Sequence, residues 1–255
     1  MRLMLAGFDV ASSDEVISLK DYLLSKYVLM SFFYVEKNMN EKIAAIVAAK
    51  NKTDTFLLDS GAFTLFSTGD KSVDFDSYLT RYINYINEND IKRFIELDID
   101  SVVGYDKVLQ MRKRLEKETG KKCIPVWHKS RGIQAYKEIV EDYDYICIGG
   151  LGNREIKKSE YPHIKKLVDY ANAKHTKVHG LAFTRKDAYK YGFYSVDSTS
   201  WTGGSRFAQA HVFKNGRITS QGRGHGQRAN SQAIQKHNFF EWLKFQEYVD
   251  KKGVF

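Results

Sequence analysis

The chain has 255 residues, of which 43% are hydrophobic and 28% charged, so it can bury a full core and disorder is not expected. It contains no apolar run of about 18 residues, and Met1–Phe8 lacks the pattern of a signal peptide, so we expect a cytoplasmic protein without a membrane partner. The formal net charge of +9 favours polyanionic partners such as nucleic acid.

Short apolar runs, rich in β-branched and aromatic residues, alternate with longer amphipathic stretches. The runs predicted to be strands are Arg2–Phe8, Tyr27–Tyr34, Thr55–Asp59, Phe94–Asp98, Ile124–His128, Tyr145–Gly149, Lys177–Ala182 and Phe193–Asp197. The stretches predicted to be helices are Glu15–Lys26, Glu41–Lys50, Phe75–Asn87, Lys107–Thr119, Ile133–Val140 and Ile156–Ala173. The repeated strand–helix unit predicts an α/β fold, a single-domain (β/α)₈ TIM barrel over residues 1–255.

An open, doubly wound sheet is the rival architecture, but it would place a glycine-rich phosphate loop after the first strand, where Phe8–Ser13 stands here. After the last run, a stretch rich in Gly, Ser, Gln and Arg at 202–231 is predicted to be a basic loop insertion before a C-terminal helix at 237–249. Ser198–Phe240 has no acidic residue, which favours phosphate neutralisation over a merely solvated basic face. The residues expected to contact a nucleic-acid backbone are Arg206, Lys214, Arg217, Arg223 and Arg228.

Polar residues close several predicted strands, at the end of a barrel where active sites lie. Asp59 closes the third run, Asp98 the fourth, His128 the fifth and Asp197 the last, while Gly149-Gly150 closes the sixth. Singly, each has a plain explanation as a helix cap or turn residue. Together on one rim they would be costly without a substrate. Two aspartates suit displacement at an anomeric carbon, one as nucleophile and one in proton transfer.

The two cysteines, Cys123 and Cys147, lie inside apolar runs and lack the spacing of a structural zinc site. We therefore expect reduced, buried thiols and no metal. No His-x-His or His-Glu-x-x-His pattern occurs, so a meeting of His128, His179 and His225 in space is the remaining way to hold a metal ion.

The segment Leu58–Ser67 resembles the Asp-Ser-Gly-Gly-Phe-Gln signature of tRNA-guanine transglycosylases, with Ala62 where the family has a glycine. Ile148–Leu151 is similar to the family's Gly-Gly-Leu base-binding turn, and Tyr194–Ser198 is similar to the strand that carries its nucleophilic aspartate. The order and spacing match, and the resemblance extends to about Phe213. Asp-Ser-Gly-Ala-Phe, Pro-Val-Trp-His and Ser-Val-Asp-Ser-Thr-Ser-Trp resemble the phage-type branch, which replaces guanine in DNA by a 7-deazaguanine.

The resemblance implies a role for each matching residue. Asp197 would attack C1′ of the deoxyribose, and Asp59 would transfer a proton to or from the base. The residues that would contact the base are Ser60, Gly61, Phe63, Asp98, His128, Gly149 and Gly150. Among them, Asp98 would face the Watson–Crick edge, and the backbone at Gly149 and Gly150 would contact the exocyclic oxygen.

Two departures from the tRNA enzymes bear on the substrate. The chain has no cysteine-rich zinc subdomain after the nucleophile strand, and His128 stands where those enzymes have a guanine-reading glutamine. A DNA substrate would require base flipping, and Phe63, Trp127 and Trp201 could stack on the flipped base. Aromatic side chains at such positions more often belong to the core, and that alternative stays open. The expected partners are DNA and a free 7-deazaguanine base as co-substrate, with no cofactor, and the family implies a homodimer as one assembly.

Three alternatives stay open. With water as acceptor, the same aspartates would form a DNA glycosylase that excises a modified base in phage defence. The others are a tRNA-guanine transglycosylase-like enzyme and an inactive barrel that binds nucleic acid through Arg206–Lys236. The inactive barrel predicts that Asp197→Asn leaves the biological effect intact.

Overall fold

Strands and helices alternate through the computed structural model, which describes residues 1–10, 17–67, 73–153, 155–183, 185, 187–203, 209–221 and 230–252. The strands are β1 Arg2–Ala6, β2 Val28–Ser31, β3 Phe56–Asp59, β4 Val126–Trp127, β5 Tyr145–Ile148, β6 Lys177–Gly180, β7 Ser195–Ser198, β8 Ala210–Lys214 and β9 Arg217–Gln221. The α-helices are α1 Leu19–Leu23, α2 Phe32–Asn38, α3 Glu41–Lys52, α4 Ala62–Ser67, α5 Phe75–Glu88, α6 Asp100–Val103, α7 Tyr105–Thr119, α8 Gly132–Asp142, α9 Tyr161–Ala173 and α10 Ser231–Lys252. None of the helices in these ranges is both long and apolar enough to cross a membrane.

The first seven strands form one parallel, curled sheet in the order β3-β2-β1-β7-β6-β5-β4. This confirms the predicted α/β fold with parallel strands. Each predicted helix before the basic stretch has a counterpart, although the first is confined to Leu19–Leu23 and the last begins only at Tyr161. Pro162, which lies in the first turn of α9, favours that later start because its ring presets the helical φ and it needs no N–H there.

The predicted barrel of eight regular strands is not formed, because the segment Phe94–Asp98 is not a strand. One isolated parallel bridge joins it to β3, and another joins it to Ile124, just before β4. The next ladder bond would run from the N–H of Val126 to the carbonyl of Glu96. Instead, that N–H donates to the Glu96 carboxylate at 2.7 Å, so the side chain ends the pairing after one bridge.

Successive residues of the strands face opposite sides of the curled sheet, and both sides are buried. In β1, Leu5 packs in an outer cluster with the helices, whereas Met4 packs in a smaller cluster inside the curl. The same alternation turns Asp59, His179 and Asp197 toward the inside. The inside of the curl is therefore apolar along the strands and polar near their carboxyl ends.

The predicted basic loop at 202–231 contains an antiparallel hairpin, β8–β9. Its two-residue turn is Asn215-Gly216, with φ of 52° and 74°, the positive values that a type I′ turn requires. β8 packs on α10, which also contacts β1. α10 is longer than the predicted 237–249, because it already begins at Ser231.

Both cysteines are free and buried, as predicted. Cys147 belongs to the inner cluster and Cys123 to the outer one. Burial raises the pKa of both thiols well above its ordinary value, so neither is suited to act as a nucleophile.

Candidate active site

A cavity of about 440 Å³ lies at the carboxyl ends of the parallel strands. The predicted site residues that line it are Asp59, Ser60, Phe63, Asp98, His128, Gly149, Gly150 and Asp197. These residues are far apart in the sequence, and the parallel sheet brings them together because all its strands end on the same side. A reaction that uses both Asp59 and Asp197 needs this shared cavity.

Asp197, the expected nucleophile, lies in β7 with 12% of its side chain exposed. Its Oδ1 accepts the backbone N–H of Ala182 at 2.6 Å and lies 3.2 Å from Nε2 of His179. Ala182 has a φ of 52°, which is uncommon for a residue with a side chain. Within the described part of the chain, Oδ2 of Asp197 accepts no hydrogen bond. One carboxylate oxygen is therefore held, and the other remains available to a substrate.

Asp59 closes β3, and its Oδ2 accepts the N–H of Gly61 at 2.8 Å. Burial, assisted by the charges of Asp197, Asp98 and Asp9, raises the pKa of the Asp59 carboxyl to about 7, against the opposing effect of the Gly61 N–H. Near neutral pH this carboxyl exists in both protonation states. Such a group can give a proton and take it back.

Gly61 supports Asp59 instead of forming a wall for the base. It is not among the residues that line the cavity. Its φ is 75°, and a Cβ at this position would lie 2.6 Å from Cβ of Phe33, so both backbone and packing require glycine. The neighbouring Ser60 does line the cavity, and its carbonyl accepts the O–H of Tyr78 at 2.6 Å.

His128 lies between two carboxylates on the cavity wall. Its Nε2 is 2.8 Å and 2.7 Å from the two oxygens of Asp98, and its Nδ1 is 3.1 Å from Oε2 of Glu155. Burial lowers the pKa of the imidazole, but the hydrogen bond and charge of Asp98 outweigh it and raise the pKa to about 9. His128 is therefore a cation at neutral pH and donates through both nitrogens. Glu155 escapes a search of strand ends because it lies in the loop after Gly150.

The buried guanidinium of Arg131 contacts three carboxylates at this wall. It donates to Asp100 at 2.8 Å and lies 3.3 Å from Asp98. A third contact, at 3.2 Å, joins it to Glu96. Asp98, Asp100 and His128 also place their ligand atoms within 4.8 Å of one another, close enough to surround a metal ion. Because Arg131 already pairs with both aspartates, an ion-pair network accounts for this cluster without a metal.

The glycine pair after β5 makes room for the side chains of His128 and Glu155. A Cβ on Gly149 would lie 2.4 Å from Cε1 of His128, and a Cβ on Gly150 would lie 2.9 Å from Oε2 of Glu155. The N–H of Gly149 donates to the carbonyl of Trp127 at 2.9 Å, so it is not free for a base. The N–H of Gly150 has no hydrogen-bond partner among the residues with described positions. The expected backbone contact to an exocyclic oxygen is therefore corrected to Gly150 alone.

Asp9 is a further carboxylate of the cavity and was not predicted from the sequence. It is 4% exposed, and its Oδ2 accepts the N–H of Ser31 at 2.6 Å. Burial raises the pKa of the Asp9 carboxyl to about 6, although hydrogen bonds from backbone N–H groups, first that of Ser31, oppose the increase. The signal was present, because Asp9 directly follows the first apolar run just as Asp59 closes the third.

Of the aromatic side chains expected to stack on a flipped base, Phe63 is placed to do so. It is 61% exposed and lines the cavity. Trp127 and Trp201 are 5% and 0% exposed, and their indole N–H groups donate to the carbonyls of Gly132 and Ala6. Both tryptophans belong to the core, which is the alternative to stacking that the sequence left open.

Of the basic residues expected to contact a nucleic-acid backbone, Lys214 and Arg217 flank the turn of the β8–β9 hairpin, and both are exposed. Neither lines the cavity. Arg206, Arg223 and Arg228 lie outside the described residues. Contact between the hairpin and phosphates stays a prediction.

The histidines considered for a metal site have other partners. His128 is bonded to Asp98, as described above, whereas His179 is fully buried in β6 and contacts Asp197 and Ser195. His225 lies outside the described residues. The contact between His179 and Asp197 could not be found from the strand-end pattern, because His179 lies within its run.

No model of a known protein family matches the chain, and a search of curated proteins finds no significantly similar one. The geometry of the cavity and the chemistry of its residues therefore carry the functional argument.

Proposed function

We propose that the protein is a nucleic-acid base transglycosylase that acts on DNA and exchanges guanine for a 7-deazaguanine through a covalent aspartyl–sugar intermediate. The observation that carries this proposal is that Asp59 and Asp197 line one cavity in different environments. Asp59 has a pKa raised to about 7, whereas Asp197 has one oxygen anchored by donors and one without a partner in the described chain. Displacement at an anomeric carbon needs such a proton-transfer group beside a nucleophile.

The first step breaks the bond between sugar and base. Oδ2 of Asp197 attacks C1′ of the deoxyribose, and the electron pair of the C1′–N bond goes to the departing base. The base takes a proton from Asp59, which becomes a carboxylate. This step leaves a covalent bond between Asp197 and C1′, and a free guanine.

The second step reverses these changes with another base. A nitrogen of the incoming 7-deazaguanine attacks C1′ and gives its proton to Asp59. The bond between C1′ and Asp197 breaks, and its electron pair returns to the carboxylate. Both aspartates end in their starting states, so the exchange consumes no cofactor.

Further residues of the cavity offer partners for a purine base. The Asp98 carboxylate suits the N–H groups of a guanine Watson–Crick edge, and the N–H of Gly150 suits an exocyclic oxygen. The exposed ring of Phe63 suits stacking on the base. The cavity volume of about 440 Å³ is typical of small-molecule sites, which occupy about 300–1,000 Å³.

We also propose that the sheet closes into a variant (β/α)₈ barrel through the segment 94–96. The isolated bridges of this segment connect β3 with Ile124, two residues before β4, and β3 and β4 are the two edge strands of the seven-stranded sheet. A closed cylinder arranges the ends of its strands around one mouth. This closure would explain why residues that follow β1, β3, β5 and β7 reach one cavity.

DNA is the substrate that the charge distribution favours. The chain has a net charge of +9, and Lys214 and Arg217 are exposed at the hairpin turn. A nucleotide in a duplex has to leave the base stack before the aspartates can reach its C1′. Single-stranded DNA would not require that step.

The proposal is tested by incubating the protein with duplex or single-stranded DNA and a labelled 7-deazaguanine, followed by mass spectrometry of the nucleosides. We expect the label in DNA with the wild type and none with Asp197→Asn. Asp106→Asn, which changes an exposed aspartate of α7, is the matched control and should retain activity. Release of the base without incorporation of the label, leaving alkali-sensitive sites, would show that the reaction is hydrolysis and not exchange. The absence of any reaction on either DNA would refute the proposal.

A further inference from the structure

A chain of hydrogen-bonded side chains lies behind Asp197 and crosses three neighbouring strands. Tyr145 Oη and Ser195 Oγ are 2.6 Å apart, and Nδ1 of His179 lies 2.6 Å from the same serine oxygen. On the other side of the ring, Nε2 of His179 lies 3.2 Å from Oδ1 of Asp197. His179 stands directly beside Ser195 in the parallel register of β6 and β7. His179 and Ser195 are 0% exposed, so these contacts form away from solvent.

One assignment of protons gives every side chain of this hydrogen-bonded series a suitable donor or acceptor. A carboxylate only accepts, so Nε2 of His179 donates to Asp197. With its single proton on Nε2, the imidazole accepts the hydroxyl proton of Ser195 at Nδ1. Ser195 in turn accepts from Tyr145, whose pKa is raised by burial so that the phenol keeps its proton. The opposite direction would leave the Tyr145 proton without an acceptor among the described residues.

We propose that His179 is a positioning residue for Asp197, and that Ser195 and Tyr145 hold His179 in its Nε2–H tautomer. The inference rests on the proposed function of Asp197 as nucleophile. His179 is fully buried and does not line the cavity, so it contacts the aspartate and not the substrate. Together with the N–H of Ala182, it fixes Oδ1 and thereby orients Oδ2 for attack on C1′.

Packing alone does not call for a histidine at this position. The inner side of the sheet is filled mainly by apolar side chains, with Met4 beside Asp197 and Cys147 beside His179. An imidazole, a hydroxyl and a phenol placed there lose hydration and recover it only by bonding to one another and to Asp197. An apolar side chain at 179 would avoid that cost, but Oδ1 would lose one of its donors.

The test measures the single-turnover rate and the KM for DNA in variants of these hydrogen-bonded residues. For His179→Leu we expect the rate at saturating DNA to fall by about 10–100-fold with KM changed by less than about threefold, because a misoriented nucleophile affects the transition state and not DNA binding. His179→Gln keeps an N–H donor and should lie between the leucine variant and the wild type. Tyr145 is separated from His179 by two hydrogen bonds, so Tyr145→Phe should reduce the rate by about two- to tenfold.

Tyr136→Phe is the matched control, because it removes another buried phenol hydroxyl, one that donates to the carbonyl of Leu167 at 2.7 Å. This variant should keep the wild-type rate. Should His179→Leu fail to fold, Tyr145→Phe against Tyr136→Phe still decides the matter. Equal rates for these two phenylalanine variants, or an unchanged rate for His179→Leu, would overturn the inference.

A ¹⁵N NMR spectrum of the His179 imidazole provides a readout that does not depend on activity. We expect a proton on Nε2 and none on Nδ1 in the wild type, and a proton on Nδ1 would overturn the inference. A wild type that is inactive on DNA would overturn the proposed function, and with it the catalytic purpose of the chain. The spectrum would then still decide whether the hydrogen bonds run as assigned, so the two failures are distinguishable.

Discussion

Replacing Asp59 by asparagine is expected to stabilise the fold while removing a group needed for base exchange. Burial raises the pKa of the carboxyl from its ordinary value of 3.8 to about 7, so ionisation of Asp59 opposes folding. The contribution of Asp59 is most favourable at low pH, below the unfolded pKa, and is lost as the pH rises to about 7. At about 1.4 kcal/mol per pKa unit, the loss in the free energy of unfolding amounts to about 4 kcal/mol as an upper limit.

Asparagine suits this test because it has the size of aspartate without the charge, and its amide oxygen can still accept the N–H of Gly61. The assay is denaturant unfolding of the wild type and Asp59→Asn at two pH values. We expect the variant to be more stable by up to about 4 kcal/mol near pH 8, and by only about 1 kcal/mol near pH 4.5, which lies less than one pH unit above the ordinary pKa of 3.8.

Asp106→Asn is the control, since it removes one exposed carboxylate and should behave like the wild type at both pH values. The reasoning would be refuted by an Asp59→Asn variant no more stable than the wild type near pH 8, or by a gain of equal size at both pH values. A gain in stability combined with a loss of base exchange would mark Asp59 as a functional residue, because a residue kept for structure would not give both.

Three further predictions concern the wall, the glycine pair and the hairpin. Arg131→Gln should lower the free energy of unfolding by about 3–5 kcal/mol in a denaturant titration, because it removes a buried cation that pairs with Glu96, Asp98 and Asp100; an unchanged midpoint would contradict this. Gly149→Ala should raise KM for the base, since the new Cβ would lie 2.4 Å from Cε1 of His128, and a normal KM would show that this contact does not shape the site. In the double variant Lys214→Gln/Arg217→Gln, loss of two phosphate contacts should reduce the slope of log affinity against log salt by about 1.8, and an unchanged slope would separate the hairpin from DNA binding.

Much of the candidate site could be predicted from the ends of apolar runs. Asp59, Asp98, His128 and Asp197 each close such a run, and all four line the cavity. The rule works because parallel strands separated by helices must all end on the same side of the sheet. Asp9 was missed because it lies one residue beyond the predicted run Arg2–Phe8 and does not close it.

The fourth predicted strand shows what local sequence cannot reveal. Phe94–Asp98 has the apolar pattern of a strand, but Glu96 is fully buried and pairs with Arg112 and Arg131, far along the chain. Because these partners hold the Glu96 carboxylate inside, it can accept a hydrogen bond from the N–H of Val126. In a regular strand that N–H would donate to the Glu96 carbonyl. No local sequence pattern indicates a buried ion pair whose members come from different strand–helix units.

The basic stretch shows the opposite case, in which an available signal was overlooked. Asn215-Gly216 between the alternating residues of β8 and β9 is a strong indication of a hairpin, yet the Gly- and Arg-rich composition favoured a loop. Stacking on a base was considered for Trp127 and Trp201 because they lie near strand ends, and a place in the core was the alternative. Their burial depends on which side of the backbone faces the helices, and proximity in sequence does not decide that.

Among the residues with described positions, four carboxylates line the cavity: Asp9, Asp59, Asp98 and Asp197. The cations of the site, His128 and Arg131, both pair with Asp98 and do not contact Asp59. Asp59 and Asp9 have no cationic partner in the described ranges, and the pKa of each is raised, to about 7 and about 6. A protonated Asp59 removes one negative charge from the neighbourhood of Asp197, the proposed nucleophile. Burial of Asp59, with His128 and Arg131 paired to Asp98 and not to Asp59, thus leaves Asp59 able to hold a proton. The two aspartates can then divide the work of acid and nucleophile although they share one cavity.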